Sequence, residues 1–323
     1  PTLPAMSPAP LPVAPPAATV RVGSARRWSG RSLGGLLLFR VGSRLLPLMG
    51  VRGAWAFSYL AGLAFLLIGG RTCFHQLDYW RRLRPRAGTG ALVLSVWRQL
   101  ASFGRILGDR LMVAWRPGRF TLQQCGGEGL RALRAQGRGC ILLSAHFGNW
   151  ELCSYYLRRL SPEAGSLHLV MARQEDAEVQ AYLDRLLRGT HVRIIDAQDG
   201  IGAALAIRAA LTTGGLVCMH GDRVADHQPS IPVRFLGGTV RMPTGPFLAA
   251  ALTGAPIIVS FMVKTALDRY EMRVDPPWTI TLPARGRARD AALGVVAQRW
   301  ARRLELEVRK HPQQWHNFYA YWG

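Results

Sequence analysis

Apolar runs and amphipathic stretches alternate along the chain from residue 91 to its end. Because consecutive apolar residues indicate buried strands, these runs predict strands at 139–144, 167–171, 192–195, 215–220 and 256–263. Apolar residues at helical spacing predict helices at 150–160, 176–188, 200–212, 244–253 and 290–310. Strands that alternate with helices are typical of the α/β fold class, with a mostly parallel sheet flanked by helices.

The longest apolar stretch, residues 45–70, precedes this region and contains Arg52 as its single charged residue. Residues 53–70 are eighteen uncharged residues, which is the lower limit for a helix that crosses a bilayer. Arginines flank the stretch on both sides, together with four aromatic residues: Trp55, Tyr59, Tyr79 and Trp80. The pattern predicts an N-terminal helix that anchors the chain in or across a membrane, with a buried core helix as the alternative.

Changes in composition divide the chain into three predicted regions. Residues 1–32 are rich in proline and alanine and lack a hydrophobic period, which predicts a disordered leader. Residues 33–88 form the basic membrane-anchor segment, and residues 89–323 form the domain that carries the candidate chemistry. A chain of this length has enough residues for a substantial hydrophobic core.

The chain is strongly basic, with 41 lysines and arginines against 19 acidic residues and a net charge of +22. Lys264 and Lys310 are its only lysines. Such an excess favours anionic partners, which include nucleic acid, an anionic membrane surface and acidic substrates. Zinc-finger spacing, an RNP-type aromatic motif and a basic region before heptads are all absent from the sequence, which argues against nucleic acid.

Candidate chemistry is concentrated in the segment AHFGNWE, residues 145–151. His146 follows a predicted buried strand, and Glu151 falls in the first turn of the helix that comes next, so the two side chains can meet across a tight turn. Asn149 is a candidate cap of that helix. A structural histidine beside an ordinary first-turn acid is the alternative reading of the same spacing. His-x4-Glu is not the H-E-x-x-H zinc pattern, so no metal site is predicted.

Three further polar residues follow predicted strands. Asp222 and Arg223 come just after the strand at 215–220, and Arg173 comes just after the strand at 167–171. An arginine at a strand end can grip a phosphate or carboxylate with two hydrogen bonds. The alternatives are a structural ion pair between Asp222 and Arg223, and a solvated surface position for Arg173.

The order of these motifs resembles the bacterial lipid A late acyltransferases of the LpxL/HtrB type, within the wider His-x4-Asp/Glu acyltransferases. An apolar helix flanked by arginines precedes AHFGNWE, and an arginine follows the next strand. After these come GDR, PTGPFLAAALTGAPIIVSF and a tail with QW and NFY. The resemblance covers residues 33–323. It implies a glycerolipid acyltransferase-like fold and transfer of a fatty acyl chain from an acyl carrier protein or coenzyme A thioester to a lipid hydroxyl.

The resemblance also implies roles for individual residues. His146 resembles the general base of the family, and Glu151 resembles the partner that orients it. The remaining positions resemble substrate-binding residues: Asn149, Arg173, Asp222 and Arg223. An oxyanion in the reaction would be held by Arg173 or by backbone N–H groups of the turn at 146–150.

The expected partners are the thioester donor, an anionic lipid or glycolipid acceptor such as a lipid A precursor, and the membrane surface. No cofactor beyond the acyl thioester is expected, and the expected location is the cell inner membrane, with the catalytic domain on the cytoplasmic side. Two other functions remain open. One is acylation of another glycolipid or glycerolipid, such as a phosphatidylinositol mannoside, and the other is a non-enzymatic basic protein that binds membrane surfaces.

Overall fold

The computed structural model describes residues 36–115, 118–152, 166–171, 192–224 and 228–322. The predicted leader, the predicted helix at 176–188 and most of the one at 150–160 lie outside these ranges. The described helices are α1 (Leu36–Ile68), α2 (Gly70–Leu83), α3 (Thr89–Trp115), α4 (Glu128–Ala135), α5 (Gly200–Thr212), α6 (Gly245–Thr253) and α7 (Arg287–Lys310). The described strands are β1 (Thr121–Gly126), β2 (Cys140–Ser144), β3 (Leu167–Met171), β4 (Val192–Asp196), β5 (Leu216–His220), β6 (Ser230–Phe235), β7 (Gly238–Pro243), β8 (Ile257–Lys264) and β9 (Arg269–Val274).

Seven of these strands form one sheet in the order β1-β9-β8-β2-β5-β3-β4. Every neighbouring pair in it is parallel except β8 and β9, which are antiparallel. β6 and β7 form a separate antiparallel hairpin. The five predicted strands correspond to β2, β3, β4, β5 and β8, so the predicted α/β class with a mostly parallel sheet is confirmed.

The central strands β2 and β8 are mostly apolar because both faces of the sheet are covered. On β2, Ile141 and Leu143 belong to the core on one face, which includes α5, α6 and α7. Leu142 points to the opposite face, where its core includes residues of α1, α3 and α4. Two buried layers explain why these strands appear in the sequence as mostly apolar runs.

Several elements have no sequence prediction, and the strands among them carry polar or strand-weakening residues. β1 is almost entirely exposed, and β9 alternates buried residues with Arg269, Glu271 and Arg273. The hairpin strand β6 contains Pro232, which weakens a strand pattern. α3 begins at the predicted boundary, at Thr89, and extends over 27 residues.

α1 kinks at Gly50, where the backbone is left-handed, and its second part packs closely along α3. The contact depends on small residues, since a Cβ on Gly62 would lie 3.0 Å from the backbone N of Ala101, and one on Gly104 would lie 3.3 Å from Cβ of Ser58. The anchor segment and the following domain therefore share a helix–helix interface. The division of the chain at residue 88 stays a prediction.

The part of α1 from Met49 to Ile68 is long and apolar enough to cross a membrane, and 22% of it is buried in the protein. Leu60, Leu67 and Ile68 are 67%, 77% and 81% exposed, which does not fit a buried core helix. Two aromatic residues expected at a membrane interface lie elsewhere. Tyr79 and Trp80 are buried in the core, where the Tyr79 hydroxyl donates to the Pro312 carbonyl and Trp80 Nε1 donates to Gln99 Oε1.

Candidate active site

The candidate site forms where two parallel strands, β2 and β5, end side by side. Their register pairs Ser144 with His220. Two residues further on, the same offset brings His146 beside Asp222, although 76 residues separate them in sequence. The backbone N–H of Gly221 donates to the Ser144 carbonyl and continues the pairing past the strands. Residues at the carboxyl edge of a parallel sheet are well placed to form a site.

The turn that carries His146 is fixed by neighbouring backbone. The Gly148 N–H donates to the Gln314 carbonyl at 2.8 Å, and the Asn149 N–H donates to the Met262 carbonyl at 3.0 Å. Gly148 has φ +59°, and a Cβ there would lie 1.8 Å from the Met262 carbonyl oxygen. Only glycine allows the turn to approach β8 this closely.

We expect Gly148→Ala to destabilise the protein by about 3 kcal/mol or more. A left-handed non-glycine residue costs about 1–2 kcal/mol, and displacing Met262 would also break the hydrogen bond from Asn149, at about 1–3 kcal/mol for a buried group. Gly254→Ala is the matched control, because Gly254 has φ +68° but no atom within 4 Å of its Cβ position. Thermal unfolding of both variants measures the difference, and equal losses would contradict the proposed clash.

His146 and Asp222 are joined by two hydrogen bonds. Nδ1 of His146 lies 2.9 Å from Oδ1 of Asp222, and the backbone N–H of His146 donates to Oδ2 at 3.0 Å. The Asp222 side chain is fully buried, whereas 24% of the His146 side chain is exposed. An ionised Asp222 would accept a hydrogen bond from the Nδ1–H of a neutral imidazole. Nε2 is then the ring nitrogen that carries the free lone pair.

The charges of the site favour that arrangement. Burial alone would raise the pKa of Asp222, but His146 and Arg223 lower it well below its usual range, so the carboxylate is ionised. Burial and the nearby Arg223 lower the pKa of His146 below 6.5, while Asp222 opposes this shift. Burial also lowers the pKa of His220, whose ring centroid lies 4.4 Å from that of His146. At neutral pH both imidazoles are therefore neutral.

Asp222 is held from a second direction by the residues after α7. Trp315 Nε1 donates to Asp222 Oδ2 at 3.0 Å, and the Tyr321 hydroxyl donates to the Asp222 carbonyl at 2.9 Å. The backbone N–H of His316 donates to the His146 carbonyl at 2.8 Å. The aromatic tail, residues 315–322, thus packs against the core and also fixes both members of the pair. Its composition gives no signal for this second role.

Glu151 lies in the first turn of the helix after the loop, as predicted, and forms an ion pair with Arg110 of α3. Burial raises the pKa of Glu151, and Arg110 opposes the shift. The orienting contact at Nδ1, which the His-x4-Glu spacing predicts for Glu151, is made by Asp222. The structure therefore gives Glu151 a clear contact to the N-terminal helices, and its role towards His146 stays a prediction.

Asn149 caps the helix that begins after it. Its Oδ1 accepts the N–H of Leu152 at 3.3 Å, its Nδ2 donates to the Tyr270 hydroxyl at 3.3 Å, and the residue is 1% exposed. Tyr270 in turn donates to Asp109, which also pairs with Lys264. The predicted cap is present, and these contacts support a structural role, while the predicted substrate-binding role of Asn149 stays untested.

Arg223 is positioned behind the pair. Its Nη2 donates to the His316 carbonyl at 2.5 Å, and its guanidinium lies 5.7 Å from the Tyr319 ring centroid. These contacts tie Arg223 to the same tail that holds Asp222. Arg173 lies outside the residues that the structure describes.

Four of the five candidate oxyanion donors of the turn at 146–150 are already engaged. The N–H groups of His146, Gly148 and Asn149 donate to Asp222, Gln314 and Met262, and that of Phe147 donates to the Ala145 carbonyl. These four groups are therefore not available to a reacting oxygen. Among the described residues, no group of three His, Cys, Asp or Glu side chains has the arrangement of a metal site.

A small apolar cavity lies beside the site. It is lined by Trp150 and His220 together with apolar residues of β2, β3, β5 and β8, and its volume is about 30 Å³. That volume holds roughly one water molecule. The described residues around it do not by themselves enclose space for a fatty acyl chain.

Comparison with known proteins places this site in a family. A family model described as "Bacterial lipid A biosynthesis acyltransferase" matches residues 96–323, which include both strands, both members of the pair and the tail. This chain belongs to that family. Together with the apolar half of α1, membership of this family indicates association with a membrane.

One curated relative of this chain is the phosphatidylinositol mannoside acyltransferase of Mycobacterium tuberculosis (strain ATCC 25618 / H37Rv). It is 22% identical over 219 residues, which are 61% of this chain and 58% of the relative. The chain thus matches somewhat under three fifths of that relative's length. Among solved structures, the 1-acyl-sn-glycerophosphate acyltransferase PlsC of Thermotoga maritima is similar over 82% of this chain and 97% of its own. The identity is 13% and the TM-score 0.35.

Proposed function

We propose that this family member transfers a fatty acyl chain from an acyl thioester to a hydroxyl group of a membrane glycolipid. The observation that carries the proposal is the hydrogen-bonded pair of His146 and Asp222 at the carboxyl edge of the sheet, in a chain with an exposed apolar helix. A neutral imidazole whose Nδ1 is held by a carboxylate is well suited to remove a proton from a hydroxyl.

In the proposed reaction, His146 acts directly on the acceptor without an acyl-enzyme intermediate. Nε2 takes the proton from the acceptor hydroxyl while the hydroxyl oxygen attacks the thioester carbonyl carbon. The C–S bond then breaks, and the imidazolium returns its proton to the departing thiolate sulfur. Asp222 stabilises the imidazolium between these steps, and Trp315 and Tyr321 keep the carboxylate in place.

The remaining predicted residues have positioning and binding roles in this proposal. Glu151 joins Arg110 to hold the first turn of the helix behind the catalytic loop. Arg173 and Arg223 supply positive charge for an anionic part of the acceptor or donor. Arg173 and the backbone N–H of Trp150 remain the candidates for the oxyanion, because the other four backbone donors of the turn are occupied.

We propose a lipid A precursor as the acceptor, since the family model bears that description. A mannosylated phosphatidylinositol is the second candidate, because the curated relative is named for acylating a phosphatidylinositol mannoside. The proposed donor is an acyl carrier protein or coenzyme A thioester. The proposed location is the inner membrane with the catalytic domain on the cytoplasmic side, where the basic surface would meet anionic lipids and an acidic carrier.

Reconstitution tests the proposed reaction. The full chain in mixed micelles is supplied with acyl-coenzyme A or acyl carrier protein thioesters and with a lipid A precursor, a mannosylated phosphatidylinositol or a lysophospholipid. Release of free thiol, together with mass spectrometry of the lipids, identifies both donor and acceptor. Binding to anionic vesicles without thioester consumption by any of these acceptors would favour the non-enzymatic alternative.

The lowered pKa of His146 predicts the pH dependence of the reaction. Because the neutral imidazole is the base, activity should be lost as the pH falls through that pKa, which lies below the ordinary value of about 6.5. We expect kcat/KM to be level between about pH 6.5 and 7.5 and to decrease only at lower pH. An acid limb centred above pH 6.5 would contradict the described electrostatics of the pair.

A further inference from the structure

A second cavity, separate from the His146 turn, lies between the N-terminal helices and the sheet. Its volume is about 830 Å³, and it is lined by residues of α1 and α3, the turn after β8 and the segment after α7. The basic residues in its lining are Arg52, Arg84, Arg105, Lys264, Lys310 and His311. No aspartate or glutamate is among the described residues that line it.

Most of this positive charge is not balanced within the described part of the chain. Lys264 pairs with Asp109, and its Nζ also donates to the Leu267 carbonyl. The other four always-charged side chains form no ion pair among the described residues: Arg52, Arg84, Arg105 and Lys310. Four uncompensated cations around one cavity repel each other, and a bound anion would relieve that repulsion.

Arg105 gives the strongest local sign of a ligand. Its guanidinium lies over two rings of α1, 5.4 Å from the Trp55 centroid and 5.3 Å from the Tyr59 centroid. Its Nε is buried and has no hydrogen-bond partner among the described residues. Buried polar groups of folded proteins are almost always paired. A guanidinium that lies over aromatic rings still presents its N–H edge, which fits two oxygens of a phosphate.

The cavity lies next to the apolar half of α1. Arg52 and Trp55 belong to its lining and to the first turns of the stretch Met49–Ile68, and both are exposed. Arginine and tryptophan at the end of an apolar helix are typical of the headgroup layer of a membrane. The position of the cavity beside this helix end therefore favours a phospholipid headgroup as the source of the phosphate.

We propose that this cavity binds a phosphate group, presented by the headgroup of an anionic phospholipid, with Arg105 and Arg52 as its main contacts. The inference goes beyond the proposed acyl transfer, since none of the lining residues belongs to the His146–Asp222 pair. The two sites are nevertheless adjacent. Gln314 lines the cavity, and its carbonyl accepts the N–H of Gly148 in the turn that carries His146.

Native mass spectrometry of the full chain in detergent micelles tests the proposal, with phosphatidylglycerol as the probe and phosphatidylcholine as the neutral comparison. We expect one retained phosphatidylglycerol, and an apparent dissociation constant about tenfold higher for Arg105→Gln, as for loss of one charged hydrogen bond. Arg52→Gln is the second variant, because an exposed position on α1 tolerates the change without unfolding. The melting temperature of each variant without lipid confirms that it is folded.

Arg208→Gln is the matched control, since it removes one charge from an exposed position on α5. Equal weakening by Arg208→Gln and Arg105→Gln would overturn the proposal, because binding would then follow net charge alone. No weakening by either cavity variant would also overturn it, because the cavity residues would then take no part in binding. Competition by inorganic phosphate at similar affinity would support the site but assign it to a soluble phosphate ester. His146→Ala should retain the lipid, so failure of this site and failure of acyl transfer are separate results.

Discussion

His146→Ala should lower the rate of acyl transfer by about 10²–10⁴-fold, the usual contribution of a general base. The imidazole is the group of the pair that is open to a substrate, with 24% of its side chain exposed, whereas Asp222 is fully buried. Removing it takes away the proton acceptor but leaves the strands and the tail in contact through backbone hydrogen bonds. The measurement is thioester consumption by the purified variant at saturating donor.

His168→Ala serves as the control, because His168 is also a largely buried histidine but lies near the amino end of β3, at the edge of the sheet opposite to the site. It should lose stability without a comparable loss of kcat per folded molecule. Wild-type activity in His146→Ala, with the fold intact, would remove His146 from the proposed mechanism and leave it as a structural histidine.

Asp222→Asn should lower kcat by roughly 10²–10⁴-fold, although the change is nearly isosteric. An amide Nδ2 facing Nδ1 would donate to it and force the proton onto Nε2, so the imidazole could no longer accept a proton from the acceptor. Because the Asp222 carboxylate raises the pKa of His146, its loss should also move the acid limb of the pH profile to lower pH.

Glu151→Gln distinguishes the two acids. Glu151 pairs with Arg110, so we expect this variant to lose stability and less than about tenfold in kcat, with the acid limb unchanged. The His-x4-Glu spacing predicts the reverse order, with Glu151 as the group that orients the base. A larger loss of kcat in Glu151→Gln than in Asp222→Asn would return the orienting role to Glu151.

The sequence alone predicts the sheet core because burial on two faces leaves a clear signal. β2 and β8 are mostly apolar, and α7 carries an apolar stripe that ends before Pro312. The edge strand β1 and its neighbour β9 leave no such signal, since their partly exposed positions carry polar and charged residues. Tertiary contacts, rather than local pattern, stabilise them as strands.

The candidate site could be predicted in its parts but not in its pairing. His146 and Asp222 both follow apolar runs, which is enough to select them. Their contact depends on β2 and β5 being neighbours in a register that pairs Ser144 with His220, and strand order is decided by long-range packing. The role of Trp315 was missed for the same reason, because its local pattern is that of a core aromatic residue.

The wide sequence separation of the site has a consequence for the order of folding. Asp222 reaches His146 across 76 residues and Trp315 across 93, so two large loops must close before the carboxylate is held on both sides. Contacts this distant form late, because the chain entropy of loop closure opposes them until the core is in place. During refolding, helix content should therefore return before activity does. A species in which β2 and β5 are paired but the aromatic tail is undocked would have the native sheet and still be inactive.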